Sequence, residues 1–370
     1  MSVTDATSAS LPPLYAAWMS ELLQGPIPRE SRATCDDCAM CASGPVQPGS
    51  EKDYFDPTIK CCSYIPELHN FLAGRILSDE DPAAQHGRAS VENRINAGVA
   101  VTPLGLGPPA VFSLLYENAP SAFGQNRTLR CPHYIEDGGG RCGIWRNREA
   151  TCVTWFCKHD RGRLGQTFWR DSLYHLLIAV ERALARWSVL ELELGDETLR
   201  RLVEGAAWRQ QPEPVTSESM DNRVDRDAYS GVWGKWLGRE REFFIECARL
   251  VQPLSWTDVI DIAGPEARAY AHLTRDAYRR LTSDEAPPAL KVGSLQLVQL
   301  RRDMTRVNTY SNFDPLDIPN RVMELLHFFD GRPTTEAIAA IAEETGIALD
   351  QSLVRKLADF AVLVPSGQSE

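Results

Sequence analysis

The sequence predicts a mainly α-helical protein in three parts. A cysteine-rich metal-binding domain with few short strands is expected over residues 1–165, a helical domain over 166–285, and a small α+β winged-helix domain over 290–370. Three observations predict this. Nine of the ten cysteines fall in two segments, far from uniform scatter, which marks a compact coordination domain. Apolar residues between 165 and 281 recur at intervals of three and four, the period of a helix face. Beyond a linker at Ser283-Asp284-Glu285-Ala286-Pro287-Pro288, two alternating stretches precede three helices with cap signals.

In chain order, residues 1–10 are small and polar and read as a loose tail. Leu14 to Leu23 reads as a short helix stopped by Gly25-Pro26. The first cysteine segment follows, with a turn-rich loop from Ser43 to Ser50. Leu68, Phe71, Leu72 and Ile76 put four apolar positions on one helix face. Residues 79–97 are polar and expected to be exposed. Val99 to Tyr116, broken by Pro103, Gly105, Gly107, Pro108 and Pro109, is expected to form short strands or extended segments. Its Gly-Leu-Gly lacks phosphate-loop spacing and reads as turns.

Leu173, Leu176, Leu177, Val180, Leu184 and Trp187 line one face of a long amphipathic helix. Gly195 stops it, and Asp196 starts the next helix, through Gln210. A polar linker over 212–226 leads to helices from Trp233 to Leu250 and from Pro265 to Leu281. Cys247, in one of them, reads as a lone buried thiol. Strands are expected at Lys291–Gln299 and Thr305–Tyr310, then helices at Pro319–Phe329, from Thr334 to before Gly346, and from Asp350 to about Phe360.

Composition narrows the function classes. A net charge of −11 argues against general nucleic-acid binding, which needs a basic face. Transmembrane helices need about 18 or more apolar residues in a run, and none is present. The N-terminus lacks the charged and apolar regions of a secretory signal, so a reducing cytoplasm is expected, where thiols stay free and disulfides are disfavoured.

The candidate metal ligands are Cys35, Cys38, Cys41, Cys61 and Cys62 upstream, and Cys131, Cys142, Cys152 and Cys157 downstream. Thiolate sulfur selects zinc, cuprous copper or iron–sulfur clusters over hard cations. Cys35-x2-Cys38-x2-Cys41 is a tight triple, and such a run with a distant fourth cysteine is a recurrent cubane frame. Structural zinc more often uses two separated Cys-x2-Cys pairs. Here the two-residue steps overlap, and the downstream gaps are 10, 9 and 4 residues. The pattern therefore favours one or two [4Fe-4S] clusters, with zinc as the alternative. Arg141, Arg146, Arg148, Lys158, Arg161 and Arg163 crowd the second segment. Of these, Arg146, Arg148 and Lys158 are the candidates for offsetting the charge of the bound group; a solvated basic surface is the plain alternative. His133 and His159 adjoin cysteines and either ligate, hydrogen-bond nearby or lie exposed. Trp145, Trp155 and Phe156 are expected to shield the site.

Cys131-Pro132-His133-Tyr134, Cys142-Gly143-Ile144-Trp145, Arg148, Cys152 and Phe156-Cys157 resemble the second half of the YkgJ-type zinc- or iron-chelating proteins. Cys35, Cys38, Cys41 and Cys61-Cys62 resemble the first half, the C-x-x-C-x-x-C-C signature, except that about twenty residues separate the triple from the pair. The resemblance spans roughly residues 30–165 and implies a cytoplasmic cluster or metal site. One relative in that family, the flagellin lysine N-methylase, couples a similar cysteine pattern to methyl transfer; no matching cofactor motif occurs here. Residues 290–365 resemble a PqqD-type peptide-recognition domain, carried by Val292–Leu300, Phe313–Leu316, Leu325–Gly331, Thr334–Ile341 and Leu353–Leu363. From 312 to 370 ten acids face four bases, so peptide or protein binding is favoured over DNA.

Two functional classes follow. One is a cluster-dependent redox or peptide-modifying enzyme or maturase that docks a peptide or protein through its C-terminal domain. The other is a non-catalytic zinc- or iron-binding scaffold, electron carrier or metal chaperone. A methyltransferase-like role is a minor third, and no catalytic residue is assigned.

Overall fold

The computed structural model describes residues 11–32, 38–41, 54–207 and 220–367. Residues 1–10, the loop Ser43–Ser50, Cys35 and the first part of the expected 212–226 linker lie outside the described residues. The chain is mainly helical, with four small antiparallel sheets among the described residues. It divides into two compact units, each discontinuous in sequence. The first comprises residues 1–29, 34–155 and 173–272; the second comprises 30–33, 156–172 and 273–370. Among the described residues no helix is long and apolar enough to cross a membrane.

In the first unit, α1 (Pro13–Leu23) opens on a proline, whose fixed φ suits the first helical position. It buries Leu14, Tyr15, Trp18, Met19, Leu22 and Leu23, and the Trp18 indole donates to the Leu254 carbonyl at 3.1 Å. A three-stranded sheet follows from β1 (Leu68–His69), β2 (Val101–Thr102) and β3 (Gly105–Leu106), with β3 central and Leu68 opposite Leu106. Helix α2 (Asn70–Leu77) starts where β1 ends. Its buried Asn70 amide donates to the carbonyls of Pro103 and Ala185, at 3.0 and 2.9 Å, tying sheet to helix.

Residues 79–97 depart from expectation. Instead of an exposed segment they form α3 (Gln85–Ala97), which buries Gly87, Ser90, Val91 and Ile95. The buried stripe includes a glycine and a serine, so the apolar period is too sparse to read. Val99–Tyr116 is extended only in β2 and β3; after Pro108-Pro109 it turns into α4 (Ala110–Asn118). A hairpin of β4 (Tyr134–Ile135) and β5 (Arg141–Cys142) pairs Tyr134 with Cys142. It turns through Gly138, Gly139 and Gly140, all at positive φ, where side chains carry a penalty. A short α5 (Ala150–Thr154) follows.

The helical middle is as expected in type, not in continuity. Helix α6 (Gly162–Phe168) of the second unit is followed by a π-turn over Trp169–Leu173 and then α7 (Tyr174–Glu191) of the first. Helix α8 is Asp196–Ala207. The expected Trp233–Leu250 helix is α9 (Arg226–Trp233) and α10 (Glu240–Val251), separated at Gly234 and Gly238, both at positive φ. Helix α11 (Trp256–Thr282) kinks at Gly264 beside Pro265. Helices α2 and α10 pack so closely that a Cβ on Gly74 would lie 1.8 Å from the Phe244 carbonyl oxygen.

The second unit holds two sheets. One places β6 (Ala289–Val292) between β10 (Asp330–Pro333) and β11 (Leu363–Pro365); the other runs β7 (Gln296–Leu300), β8 (Met304–Asn308), β9 (Leu316–Pro319). The single strand expected over Lys291–Gln299 is therefore two, in different sheets. The break falls at Gly293, where a Cβ would sit 2.5 Å from the Ala361 carbonyl oxygen. Helices α12 (Asn320–Leu325), α13 (Thr334–Thr345) and α14 (Gln351–Asp359) close a core that includes Leu290, Val307, Phe329, Ile341, Val354 and Leu363. Arg161 grips Asp359 with two bonds of 2.7 and 2.8 Å, the fork geometry that suits a carboxylate.

Candidate metal centre

The described cysteines of the first unit come from four chain segments, each held by its own backbone bonds. The Cys41 amide donates to the Cys38 carbonyl at 2.9 Å, closing a turn that brings the two thiols within bonding reach. Asp56 starts a second turn by accepting from the Thr58 amide and hydroxyl at 2.8 and 2.6 Å. That turn puts Lys60 at φ 57 and delivers Cys61-Cys62. The Cys131 amide donates to the Cys62 carbonyl at 2.7 Å, joining the two cysteine segments directly. Cys142 arrives on β5. Cys152 sits in the first turn of α5, whose amide at Cys152 donates to the Glu149 carboxylate at 2.9 Å.

These thiols act on one another. Cys41 bonds the Cys38 thiol and feels Cys61. Cys62 bonds Cys61 and feels Cys142 and Cys131, while Cys152 feels Cys142 and Cys131. Crowding thiols in a low-dielectric site disfavours their ionised forms. Burial, then Cys38, pushes Cys41 up to about 12. Burial, then Cys142, pushes Cys131 up to about 12. Burial raises Cys142 and, with Glu149, Cys152. The hydrogen bond with Cys61 raises Cys62. Cys61 goes the other way, lowered to about 7 by the hydrogen bond from Cys62, with Arg148 and Lys60 adding positive charge.

The cations around the thiols differ from those expected. Arg148 is buried; its guanidinium lies 3.4 Å over the Trp145 ring and donates to the carbonyls of Trp145 and Cys152, each at 3.1 Å. Arg146 instead lies on the surface, paired with Asp81 at 3.1 Å. Lys158 belongs to the second unit, where burial and Arg32 lower its pKa. Two cations that the sequence reading missed take part. Lys60 is 4% exposed and its ammonium donates to the carbonyls of Gly139 and Gly140. Arg94, on α3, donates to the Gly107 carbonyl and acts on Cys131. Lys60 abuts the Cys-Cys pair and was within reach of a sequence reading; Arg94 lies in a segment taken as exposed and offered no signal.

Other expected residues are placed as follows. His133 is buried and faces Ser90; burial holds its ring down to about 3. Cys157 and His159 belong to the second unit, and burial lowers His159 to about 4. Trp145 stacks on Arg148, Trp155 meets Phe123 edge-on at 5.0 Å, and Phe156 meets Trp169 edge-on at 5.1 Å. Cys247 is buried in α10. All nine described cysteines are free thiols.

The donor set fits a thiophilic metal in its chemistry: soft, crowded sulfurs, one of them ready to ionise, with cations at hand. Among the described residues, no group of three or more His, Cys, Asp or Glu side chains is placed so as to hold a metal ion. Cys35 lies outside those residues. Comparison with family models, curated proteins and solved structures finds no match for this chain.

Proposed function

We infer that the first unit carries a thiolate-held metal centre, iron–sulfur in preference to zinc, and that the second unit docks an extended peptide on which redox or modification chemistry acts. One observation carries the reading. Thiols from separate segments of the first unit lie near enough to disfavour one another's ionisation, a soft, largely half-buried donor set whose negative charge a bound cation would offset. Cys38, Cys41, Cys61, Cys62, Cys131, Cys142 and Cys152 are the described residues of the first unit that would hold it, with Cys35 as the remaining candidate in that unit. When bound, an iron–sulfur group supplies one-electron or Lewis-acid chemistry. Around it, Arg148, Lys60 and Arg94 offset negative charge, and Trp145 limits water at Arg148.

Strand β7 supports the peptide half of the reading. Among the described residues it pairs only with β8, and it exposes Leu297, Val298 and Leu300 by 67, 51 and 77%. No residue from Gln296 to Leu300 is charged. Natural edge strands are often protected by charge; this uncharged apolar edge, with one register shift between Leu297 and Gln299, suits strand addition by a partner. A non-catalytic scaffold or electron carrier, in which the thiol group only holds a metal, is the second reading. Anaerobic purification followed by iron, labile-sulfide and zinc analysis tests the proposal. Iron with sulfide supports it; stoichiometric zinc without colour leaves the scaffold.

A further inference from the structure

Two buried polar atoms near Cys131 have no partner among the described residues: His133 Nε2 and Arg94 Nη1. Their neighbours fix what each atom needs. The Ser90 hydroxyl lies 2.7 Å from the Gly87 carbonyl oxygen and 2.7 Å from His133 Nδ1. A carbonyl oxygen only accepts, so the one hydroxyl proton goes to Gly87. Ser90 therefore accepts from His133, and Nδ1 carries the hydrogen. Nε2 is left as a bare lone pair on a ring that is 0% exposed. Arg94 Nη1 is the complementary case, an N–H without an acceptor.

The surroundings place this pair beside the thiols. His86, Ser90 and Arg94 recur every four residues on one face of α3. That face packs against the cysteine hairpin so tightly that a Cβ on Gly87 would lie 2.3 Å from the Gly143 carbonyl oxygen. The Gly143 amide donates to the His133 carbonyl at 2.7 Å, and the His133 amide bonds the Cys131 thiol. Arg94 acts on both Cys131 and His133.

We propose that His133 is a nitrogen ligand of the metal centre through Nε2, oriented by Ser90, with the Arg94 charge acting on Cys131 beside it. This rests on the thiolate-centre reading above and deepens it: the centre takes mixed sulfur and nitrogen donors. Ser90 fills the outer role common for metal-bound histidines, fixing tautomer and ring orientation through the other ring nitrogen. A bare buried lone pair is satisfied by a Lewis acid, and the neighbouring Arg94 charge offsets that of a thiolate at Cys131.

The test is X-ray absorption at the metal edge of the full-length chain, purified anaerobically with the metal it carries. A nitrogen shell at about 2.0 Å inside a sulfur shell at about 2.3 Å is expected. His133→Ala should remove the nitrogen shell. His133→Cys should retain metal with an all-sulfur shell, which keeps the test decisive if the alanine variant does not fold. A sulfur-only shell in the unmodified protein, or a nitrogen shell that survives both substitutions, overturns the proposal while leaving the thiolate centre intact; an internal water on Nε2 gives this result. A chain that carries no metal overturns the thiolate centre and this inference together.

Discussion

Arg148 is the residue on which the stability of the thiol group should depend most visibly. The residue is 6% exposed, and its guanidinium stacks on Trp145 and bonds two carbonyls. A desolvated cation–π contact contributes about 2 kcal/mol. Each hydrogen bond involving a charged group contributes about 1.5–3 kcal/mol. The sum is an upper bound, because one side chain makes all three contacts and they are not additive. Arg148→Ala is therefore expected to lower unfolding stability by about 4 kcal/mol. Arg148→Lys, which keeps charge but loses the planar fork, should lower it by about half as much. Urea unfolding under reducing conditions reads both. A double-mutant cycle with Trp145→Ala isolates the stack, with about 2 kcal/mol of coupling expected. Removing the cation should also slow alkylation of Cys61 at neutral pH, since Arg148 helps to hold that thiol low. Coupling below about 0.5 kcal/mol, with Cys61 reactivity unchanged, would refute the reasoning, because that is the range of an ordinary surface substitution.

Three further outcomes follow from the structure. Glu30 is buried, accepts from the Asp160 amide and Trp169 indole at 2.6 and 2.8 Å, and is raised from 4.5 to about 7, chiefly by burial. The folded state therefore holds its proton more tightly than the unfolded chain, so this group's contribution falls as pH rises from 4.5 to 7, by about 3 kcal/mol at most. Glu30→Gln should flatten that part of the stability-versus-pH curve measured by urea unfolding; an unchanged slope counts against it. Gly74→Ala should destabilise by about 3 kcal/mol, despite the better helix propensity of alanine, because the new Cβ meets the backbone of α10; a gain in urea midpoint would show the contact to be loose. Leu297→Lys, at a site 67% exposed, should change stability by less than about 0.5 kcal/mol. It should weaken binding of a blocked, extended Val/Thr peptide at least tenfold by fluorescence anisotropy, and equal binding would remove β7 as the docking edge.

How much of this was legible depended on whether the signal was local. The helices over 165–281 and the three C-terminal helices were readable, because caps and apolar spacing lie within each element. Helix α3 was not, since Gly87 and Ser90 are buried for close packing and hydrogen bonding rather than for apolar area. Nor was the division of Lys291–Gln299, set by the approach of Ala361 from far along the chain to Gly293. At the candidate centre, cysteine spacing pointed to the sulfurs, but the direction each cation faces is a tertiary fact. Arg146 and Arg148 are two residues apart, yet one pairs with Asp81 at the surface and the other stacks on Trp145 and acts on Cys61. Arg94 reaches Cys131 from a segment with no cysteine at all.

Whether the two cysteine segments serve one centre is best tested by the metal content of Cys61→Ser, Cys142→Ser and the double variant, each purified anaerobically as the full chain. Ligands of a shared centre should each remove the same metal, so the double variant should lose no more than either single one. Losses that add would show that the upstream and downstream thiols hold separate sites, and metal content equal to the unmodified protein in all three would show that neither thiol is a ligand.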